Sequence, residues 1–156
     1  MMIDIGCGPN KNQGFIGIDH YKFDGVDIVR DLRRGLPFSD STIEGVLAKH
    51  ILEHFDGEDL IFIVEEIWRV CKHQSKVYVE VPAADSPNCG KDFTHKKKDW
   101  DEWSFQMWEK KNGEYIIERG PVYGICGEFK SEYQKNLDTL NAHYQLTVEK
   151  EKVISL

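Results

Sequence analysis

The chain has 156 residues, of which 40% are hydrophobic, 12% aromatic and 30% charged, a balance that excludes a disordered or fibrous protein. This length is typical of a single domain that buries a sizeable core. A formal net charge of −7 counts against an extended surface for nucleic acid, so nucleic-acid partners are unlikely by this criterion.

The N-terminal part of the chain is predicted to consist mainly of strands. Four short apolar segments, each ending at a polar residue or glycine, are typical of β-strands: Met2–Ile5, Phe15–Asp19, Val26–Val29 and Gly45–His50. A spacing of three and four between apolar residues then predicts an amphipathic helix with Asp56 as N-cap, ending near Cys71. Lys76–Val81 is the fifth predicted strand, and the strand–helix–strand order indicates a parallel crossover in an α/β sheet.

The second half of the chain has a weaker pattern. Residues 83–98 are predicted to form a loop, and the aromatic-rich segment Trp100–Lys110 a helix. Three further strands, at Tyr115–Glu118, Glu128–Tyr133 and Ala142–Glu149, are expected to form an antiparallel edge of the sheet.

The early connections are short. Only nine residues, Gly6–Gly14, separate the first two strands, and about seven separate the second from the third. A parallel crossover normally needs a dozen or more residues. The early crossover helices are therefore expected to be shortened or missing.

A glycine turn follows the first strand. Gly6 and Gly8 let a backbone fold tightly and approach a ligand, although a strand followed by this pattern is often only a structural turn. Asp19 ends the second strand, where a carboxylate can bind a ribose diol, and Asp31 ends the third. Both acids could instead be turn-forming residues, but together these strand ends predict a nucleoside site along one rim.

The succession DIGCGPN, GFIGIDHY, VDIVRDL, LPFSDSTIEGVLAKHILEH, EEIWRVCK and VYVEVP resembles the class I S-adenosylmethionine-dependent methyltransferases. It is especially similar to a small branch with a G-C-G-x-x-K-x-x-G-[FY]-x-G-[IV]-D opening. The resemblance implies a Rossmann-like, mostly parallel sheet within a single domain, residues 1–156. Residues 1–82 would be its cofactor-binding half and residues 83–156 its acceptor, lid and edge-strand half.

The resemblance also assigns residues to the cofactor, S-adenosylmethionine. Asp4 with the backbone of Gly6 and Gly8 would hold its amino-acid end, and Asp19 its ribose hydroxyls. The remaining assigned residues are Ile18 and His20 flanking the adenine, Asp31 and the Leu32 amide at the adenine edge, and His50 at the methionine portion. No metal is implied.

The chain departs from the family pattern in several places, one of them after the helix, where the branch has Pro-Gly-Gly and this chain has Lys72-His73-Gln74-Ser75. The family usually carries a helix before the first strand and another after it, for which this chain has no room at full length. The branch also has Asp-Pro-Thr-His where this chain has Asp92-Phe93-Thr94-His95.

Histidines are the candidate catalytic groups, because methyl transfer needs chiefly alignment, and a hydroxyl acceptor would also gain from a base. We predict that His50 lies near the cofactor and that His95 is an acceptor-side base. His54 is interpreted as packing at the helix entry. Trp100, Trp103, Phe105 and Trp108 would form either an acceptor lid or, as their helical spacing favours, a core or subunit interface.

The leading functional prediction is methyl transfer to a small-molecule or sugar-like acceptor. The Asn/Asp-Pro-Pro-Tyr/Phe motif of many nitrogen methyltransferases is replaced by Lys49-His50-Ile51-Leu52, which disfavours a planar nitrogen acceptor. The alternatives are a non-catalytic protein that binds S-adenosylmethionine or S-adenosylhomocysteine, or serves in assembly, and a nicotinamide-dependent enzyme. Homo-oligomerisation is also expected to be possible.

Cysteine spacing and hydropathy predict a compartment. The four cysteines form no C-x-x-C pair, so free thiols are expected and a zinc site is not. No apolar run reaches the length of a membrane span, and the first residues lack the pattern of a signal peptide. These features predict a cytoplasmic protein without membrane contacts.

Overall fold

A computed structural model describes residues 1–150. Its main sheet contains seven strands: β1 (Met2–Ile5), β2 (Ile16–Asp19), β3 (Ile28–Val29), β4 (Ile43–Lys49), β5 (Cys71–Pro82), β8 (Glu128–Asn136) and β9 (Asn141–Glu149). One α-helix, α1 (Gly57–Val70), joins β4 to β5. A separate two-stranded ribbon consists of β6 (Lys110–Lys111) and β7 (Glu114–Tyr115).

The strand order in the main sheet is β3-β2-β1-β4-β5-β9-β8. The first five strands pair in parallel, whereas β5 with β9 and β9 with β8 pair antiparallel. The predicted fold class, a Rossmann-like and mostly parallel α/β sheet with an antiparallel C-terminal edge, is confirmed. β5 and β9 belong to different halves of the chain, so the edge strands extend the same sheet that the N-terminal half begins.

A loop replaces the helix that would normally connect β1 to β2. The backbone and side-chain nitrogens of Asn12 each donate a 2.9 Å hydrogen bond to Oδ2 of the buried Asp4 in β1. The Lys11 side chain passes over Gly17 in β2, where an added Cβ would meet its Cδ at 2.5 Å. This loop covers the early strands with few residues, which confirms that the first crossover helix is missing.

The prediction for α1 is also confirmed. Its apolar stripe, Ile63, Val64, Ile67 and Val70, is buried against the sheet in the hydrophobic core. Asp56 is the N-cap residue, but its side chain makes no capping hydrogen bond. The negative charges of Glu58 and Asp59 lie in the first turn, where they stabilise the helix through its dipole.

The helix predicted at Trp100–Lys110 is wrong. That segment contains turns and one short 3-10 helix, Gln106–Trp108. The carboxylate of Asp101 accepts hydrogen bonds from the Trp103 amide and the Ser104 hydroxyl, at 3.0 and 3.2 Å, so a local turn replaces the helix here.

Burial explains the aromatic spacing that suggested this helix. Trp100, Phe105 and Trp108 are buried, and both Trp100 and Phe105 contact the ring of Tyr144 in β9. Trp103 is 59% exposed. Three of the four aromatic residues therefore belong to the core, as the core interpretation of the sequence predicted. The alternative interpretation, an acceptor lid built from all four, is wrong.

The strand predicted at Tyr115–Glu118 is largely wrong as well. Only Glu114–Tyr115 is extended, and it pairs with Lys110–Lys111 outside the main sheet. The predicted alternation in β9 is confirmed for Tyr144, Leu146 and Val148, which are buried, although Thr147 on the other face is buried too.

Within residues 1–150, no helix combines the length and the hydropathy needed to span a membrane.

Candidate functional site

A cavity of about 430 Å³ lies at the carboxyl ends of the parallel strands, the position where open α/β sheets bind ligands. Its size is within the range of small-molecule sites. Its lining comes from the ends of β1 to β4 and from one distant loop: Gly6, Asp19, His20, Tyr21, Phe23, Arg30, Asp31, Leu32, Arg33, His50, Ile51, His54, Phe55 and Thr94.

Six of the sequence-predicted site residues line this cavity together: Gly6, Asp19, His20, Asp31, Leu32 and His50. Asp4, Gly8, Ile18 and His95 are not part of its lining. The rim predicted from the strand ends thus corresponds to one continuous surface, although not every assigned side chain reaches it.

The glycine turn forms the floor of the cavity. Gly6 has a φ of +67°, and its amide donates a 2.8 Å hydrogen bond to the carbonyl of Ile18 in β2. A Cβ at Gly6 would approach Cγ1 of Ile51 to 2.5 Å, closer than side chains tolerate. Both the backbone conformation and the neighbouring side chain therefore require glycine here.

Asp19 holds the turn in place. One carboxylate oxygen, Oδ2, accepts a 2.9 Å hydrogen bond from the Gly8 amide, and the other, Oδ1, accepts one from the Tyr21 amide at the same distance. Each carboxylate oxygen can accept more than one hydrogen bond, so both retain the capacity to bind ligand hydroxyls.

Asp4 and Ile18 are placed behind the floor. Asp4 is 3% exposed, and its carboxylate anchors the loop through Asn12. The Ile18 side chain is fully buried, and its carbonyl accepts the amides of Gly6 and Cys7. Both residues support the turn from below, which is a role that their spacing alone does not reveal.

The carboxylate of Asp31 is held by Arg33. The guanidinium Nη2 of Arg33 lies 2.7 Å from Oδ2, and the Arg33 amide donates a 3.0 Å hydrogen bond to Oδ1. These hydrogen bonds lower the pKa of Asp31 to about 2, with a smaller contribution from the nearby His20 ring. Asp31 is therefore ionised at neutral pH and offers acceptor oxygens on the cavity wall.

His50 follows β4 with a φ of +51°, a conformation rare for a residue with a side chain. Nδ1 of its ring lies 3.3 Å from Glu53 Oε1, and Nε2 lies 3.4 Å from Glu80 Oε1. The hydrogen bond to Glu53 is the main reason that the pKa of His50 is raised, and Glu80 adds to the effect. These two carboxylates fix the ring orientation at the cavity wall.

His54 and His95 form a pair beside the cavity. Their rings lie 5.0 Å apart at 71°, in an edge-to-face arrangement. His54 lines the cavity and lies within 3.0 Å of the Thr94 hydroxyl through Nδ1, whereas His95 lies behind it. His54 thus does connect the helix entry to a loop, as predicted, and it reaches the cavity as well.

Several lining residues had not been identified from the sequence. They are Tyr21, Phe23, Arg30, Arg33, Ile51, His54, Phe55 and Thr94. The exposed aromatic residues Tyr21 and Phe23, immediately after a candidate ribose-binding acid, were a usable signal, because exposed aromatic side chains commonly mark binding surfaces. Thr94 comes from a distant loop, and its signal in the sequence was its place in the Asp92-Phe93-Thr94-His95 segment.

Solved structures with the same architecture are found. A methyltransferase dependent on S-adenosylmethionine from Archaeoglobus fulgidus superimposes with a TM-score of 0.63 at 18% identity, covering 94% of this chain and 85% of the other. This chain has the methyltransferase fold.

Two further structures share this methyltransferase fold. One is a complex of the Trm112 methyltransferase activator with a methyltransferase from Haloferax volcanii, with a TM-score of 0.62, 13% identity and coverage of 96% and 82%. The other is the 1,6-didemethyltoxoflavin-N1-methyltransferase of Burkholderia thailandensis with bound S-adenosylhomocysteine. Its TM-score is 0.61 at 11% identity, and the match covers 96% of this chain and 70% of the other. No family model and no curated protein matches the sequence.

Proposed function

We propose that the chain binds S-adenosylmethionine in the cavity and transfers its methyl group to a small-molecule or sugar-like acceptor. The observation that carries this proposal is the placement of Asp19. Its carboxylate lies on the cavity wall, hydrogen-bonded to Gly8, and the turn it holds forms the floor. A carboxylate at the end of the second strand is where nucleoside-binding sheets bind the ribose.

The shape and donor set of the cavity fit this cofactor. The bare backbone of Gly6 leaves room at the floor, and Asp19 offers acceptors for two ribose hydroxyls. Asp31, with the backbone of Leu32, would meet the polar edge of adenine. The aromatic rings of Tyr21 and Phe23 supply an apolar surface against a base.

Bound S-adenosylmethionine would supply an activated methyl group, so the chain would contribute mainly alignment. His50, with its ring fixed by Glu53 and Glu80, would position the methionine portion or the acceptor. The prediction that His95 is an acceptor-side base has less support, because His95 does not line the cavity.

Isothermal titration with S-adenosylhomocysteine and with NAD tests the cofactor. We expect binding of the first and none of the second, and a loss of at least about tenfold in Asp19→Ala, because a hydrogen bond to a charged group contributes about 1.5–3 kcal/mol. The matched control is Asp24→Ala, which removes an exposed carboxylate a few residues further on. Equal affinity in wild type and Asp19→Ala would contradict the proposal.

A protein that binds the cofactor without turnover is the second candidate, favoured by the placement of His95 outside the cavity. Transfer of a labelled methyl group to any component of a small-molecule extract would exclude it. Binding of S-adenosylhomocysteine without any transfer would favour it. Homo-oligomerisation and a cytoplasmic location stay predictions.

A further inference from the structure

Three potential metal ligands converge beside the cavity. Glu53, His54 and His95 each place one ligand atom within 4.8 Å of the others. Glu53 and His54 belong to the 3-10 turn after β4, whereas His95 lies in the long loop after β5. The backbone brings them together, because the Glu53 carbonyl accepts the amides of Lys96 and Lys97 at 2.8 and 3.2 Å.

Both histidines are oriented by backbone carbonyls. Nδ1 of His95 lies 3.3 Å from the Cys89 carbonyl oxygen, and Nδ1 of His54 lies 3.3 Å from the Thr94 carbonyl oxygen. A carbonyl oxygen only accepts, and the Thr94 hydroxyl near Nδ1 of His54 donates its hydrogen to Asp92 Oδ1 at 2.6 Å, so each Nδ1 carries a hydrogen and each Nε2 keeps its lone pair. Histidines that bind metals are commonly fixed in this way.

Glu53 carries a buried polar atom without a partner. The residue is 1% exposed, and Oε1 is engaged by His50, whereas Oε2 has no hydrogen-bond partner among residues 1–150. An unpaired polar atom of this kind costs about 1–3 kcal/mol, and more when it is charged. A cation between Glu53 and the two rings would remove that cost.

We propose that Glu53, His54 and His95 form a binding site for a divalent transition-metal ion, with zinc as the preferred ion. Two imidazoles and one carboxylate are a typical ligand set for zinc, whereas magnesium and calcium favour oxygen ligands. Bonds of about 2.1 Å place tetrahedral ligand atoms roughly 3.4 Å apart, so side chains whose ligand atoms lie within 4.8 Å must approach each other by up to about 1.4 Å when the ion binds.

The surroundings favour a cation. Oδ2 of Asp92 lies 3.8 Å from Nε2 of His95, which adds a second negative charge next to the cluster. The two lysines nearest in sequence are directed to other carboxylates, Lys96 to Asp56 at 3.9 Å and Lys97 to Asp99 at 2.7 Å.

The position of the cluster links it to the cavity. His54 and Thr94 line the cavity wall, so a fourth coordination position would be accessible from it. An oxygen, nitrogen or sulfur atom of the acceptor could occupy that position. Binding of the acceptor to the ion rests on the proposed function, whereas binding of the ion to the chain does not.

Zinc binding is tested on the full chain after treatment with a chelator, by titrating Zn²⁺ in competition with a chromogenic chelator. We expect one ion per chain, and a loss of affinity of at least about tenfold in His54→Ala and in His95→Ala. His73→Ala, which removes an imidazole near the start of β5, is the matched control and should bind zinc as wild type does.

A second measurement does not depend on the folding of the variants. Zinc X-ray absorption of the loaded wild type should report two imidazole ligands and bonds to oxygen. The absence of one-to-one binding, unchanged affinity in both histidine variants, or a spectrum without imidazole would overturn the proposal. S-adenosylhomocysteine binding, measured on the same preparation, reports separately on the proposed function.

Discussion

The amide of Gly8 donates a hydrogen bond of 2.9 Å to Oδ2 of Asp19, and this contact joins the turn after β1 to the end of β2. Because Oδ1 of the same carboxylate accepts the Tyr21 amide, Asp19 organises two segments of the cavity before any ligand binds. The residue that we propose for the ribose therefore also has a structural role.

Asp19→Asn should weaken this organisation. The amide side chain keeps one acceptor oxygen and gains a donor, so it can accept only one of the two backbone amides well. We expect the free energy of unfolding to fall by about 1–3 kcal/mol and the Gly8 amide to exchange its hydrogen faster. Hydrogen exchange followed by NMR checks this, with the Gly6 amide, bonded to the Ile18 carbonyl, as internal control. Unchanged exchange at Gly8 would show that the contact contributes little.

Gly6→Ala should be more destabilising than Gly8→Ala. Both residues have positive φ angles, but a Cβ at Gly6 meets Ile51, whereas a Cβ at Gly8 meets nothing within 4 Å. The backbone conformation costs about 1–2 kcal/mol in both variants, and the overlap with Ile51 adds about 1–3 kcal/mol in the first.

Urea unfolding of the two glycine variants measures the difference. Gly6→Ala should cost less stability in an Ile51→Gly background than in the wild-type background, because the Cβ, Cγ1 and Cδ1 atoms of Ile51 that the new methyl group would meet are then absent. Equal losses for the two glycines would contradict the packing argument.

Stability in acid should depend on Glu66. Oε1 and Oε2 of Glu66 accept hydrogen bonds from Arg69, at 2.6 and 2.8 Å, and the Leu36 amide binds Oε2 as well. The Arg69 contacts are the main reason that the pKa of Glu66 is lowered from 4.5. A lowered pKa contributes stability that is fully present above 4.5 and is lost as the pH falls through the lower value of the folded protein.

Glu66→Gln should therefore lower the free energy of unfolding by about 1–3 kcal/mol at pH 7. The difference in the free energy of unfolding between Glu66→Gln and wild type should narrow as the pH falls below about 4.5, because wild type then loses the contribution of the ionised carboxylate. Urea titrations from pH 7 to pH 3 measure it, with the exposed Glu118→Gln as the control. A gap that stays constant down to pH 3 would exclude this role for Glu66.

The cysteines should differ in their reactivity towards iodoacetamide. Burial, with the charges of Asp4 and Asp19, raises the pKa of Cys7 to about 11, and burial raises that of Cys71 to about 12. At pH 8 only on the order of one Cys7 in a thousand is a thiolate, so alkylation should be slow. Cys126 is exposed and should react first.

Mass spectrometry of the alkylated protein checks these rates. Raising the pH to 10 should accelerate the alkylation of Cys7, which is partly accessible, but not that of Cys71, which is fully buried. In urea all four cysteines should react. Alkylation of Cys7 as fast as that of Cys126 at pH 8 would contradict the raised pKa.

The strands and α1 were predictable because their signal is local. A run of apolar residues ending in Gly6, or the spacing from Ile63 to Val70, reflects burial on a regular surface, and that period is visible in the sequence. The segment Trp100–Lys110 has a helical spacing for a different reason. Trp100 and Phe105 pack on Tyr144, more than thirty residues later, and Asp101 forms a turn.

The sequence by itself determined that the early strands end at one rim of a parallel sheet, and this predicted that Gly6, Asp19, Asp31 and His50 lie around one cavity. Only the tertiary structure decided that Asp4 faces the loop, that Thr94 reaches the cavity and that His95 joins Glu53 and His54. The last of these contacts joins segments far apart in the sequence, because the Lys96 and Lys97 amides next to His95 donate hydrogen bonds to the Glu53 carbonyl. A loop without regular periodicity leaves no pattern from which such contacts can be read.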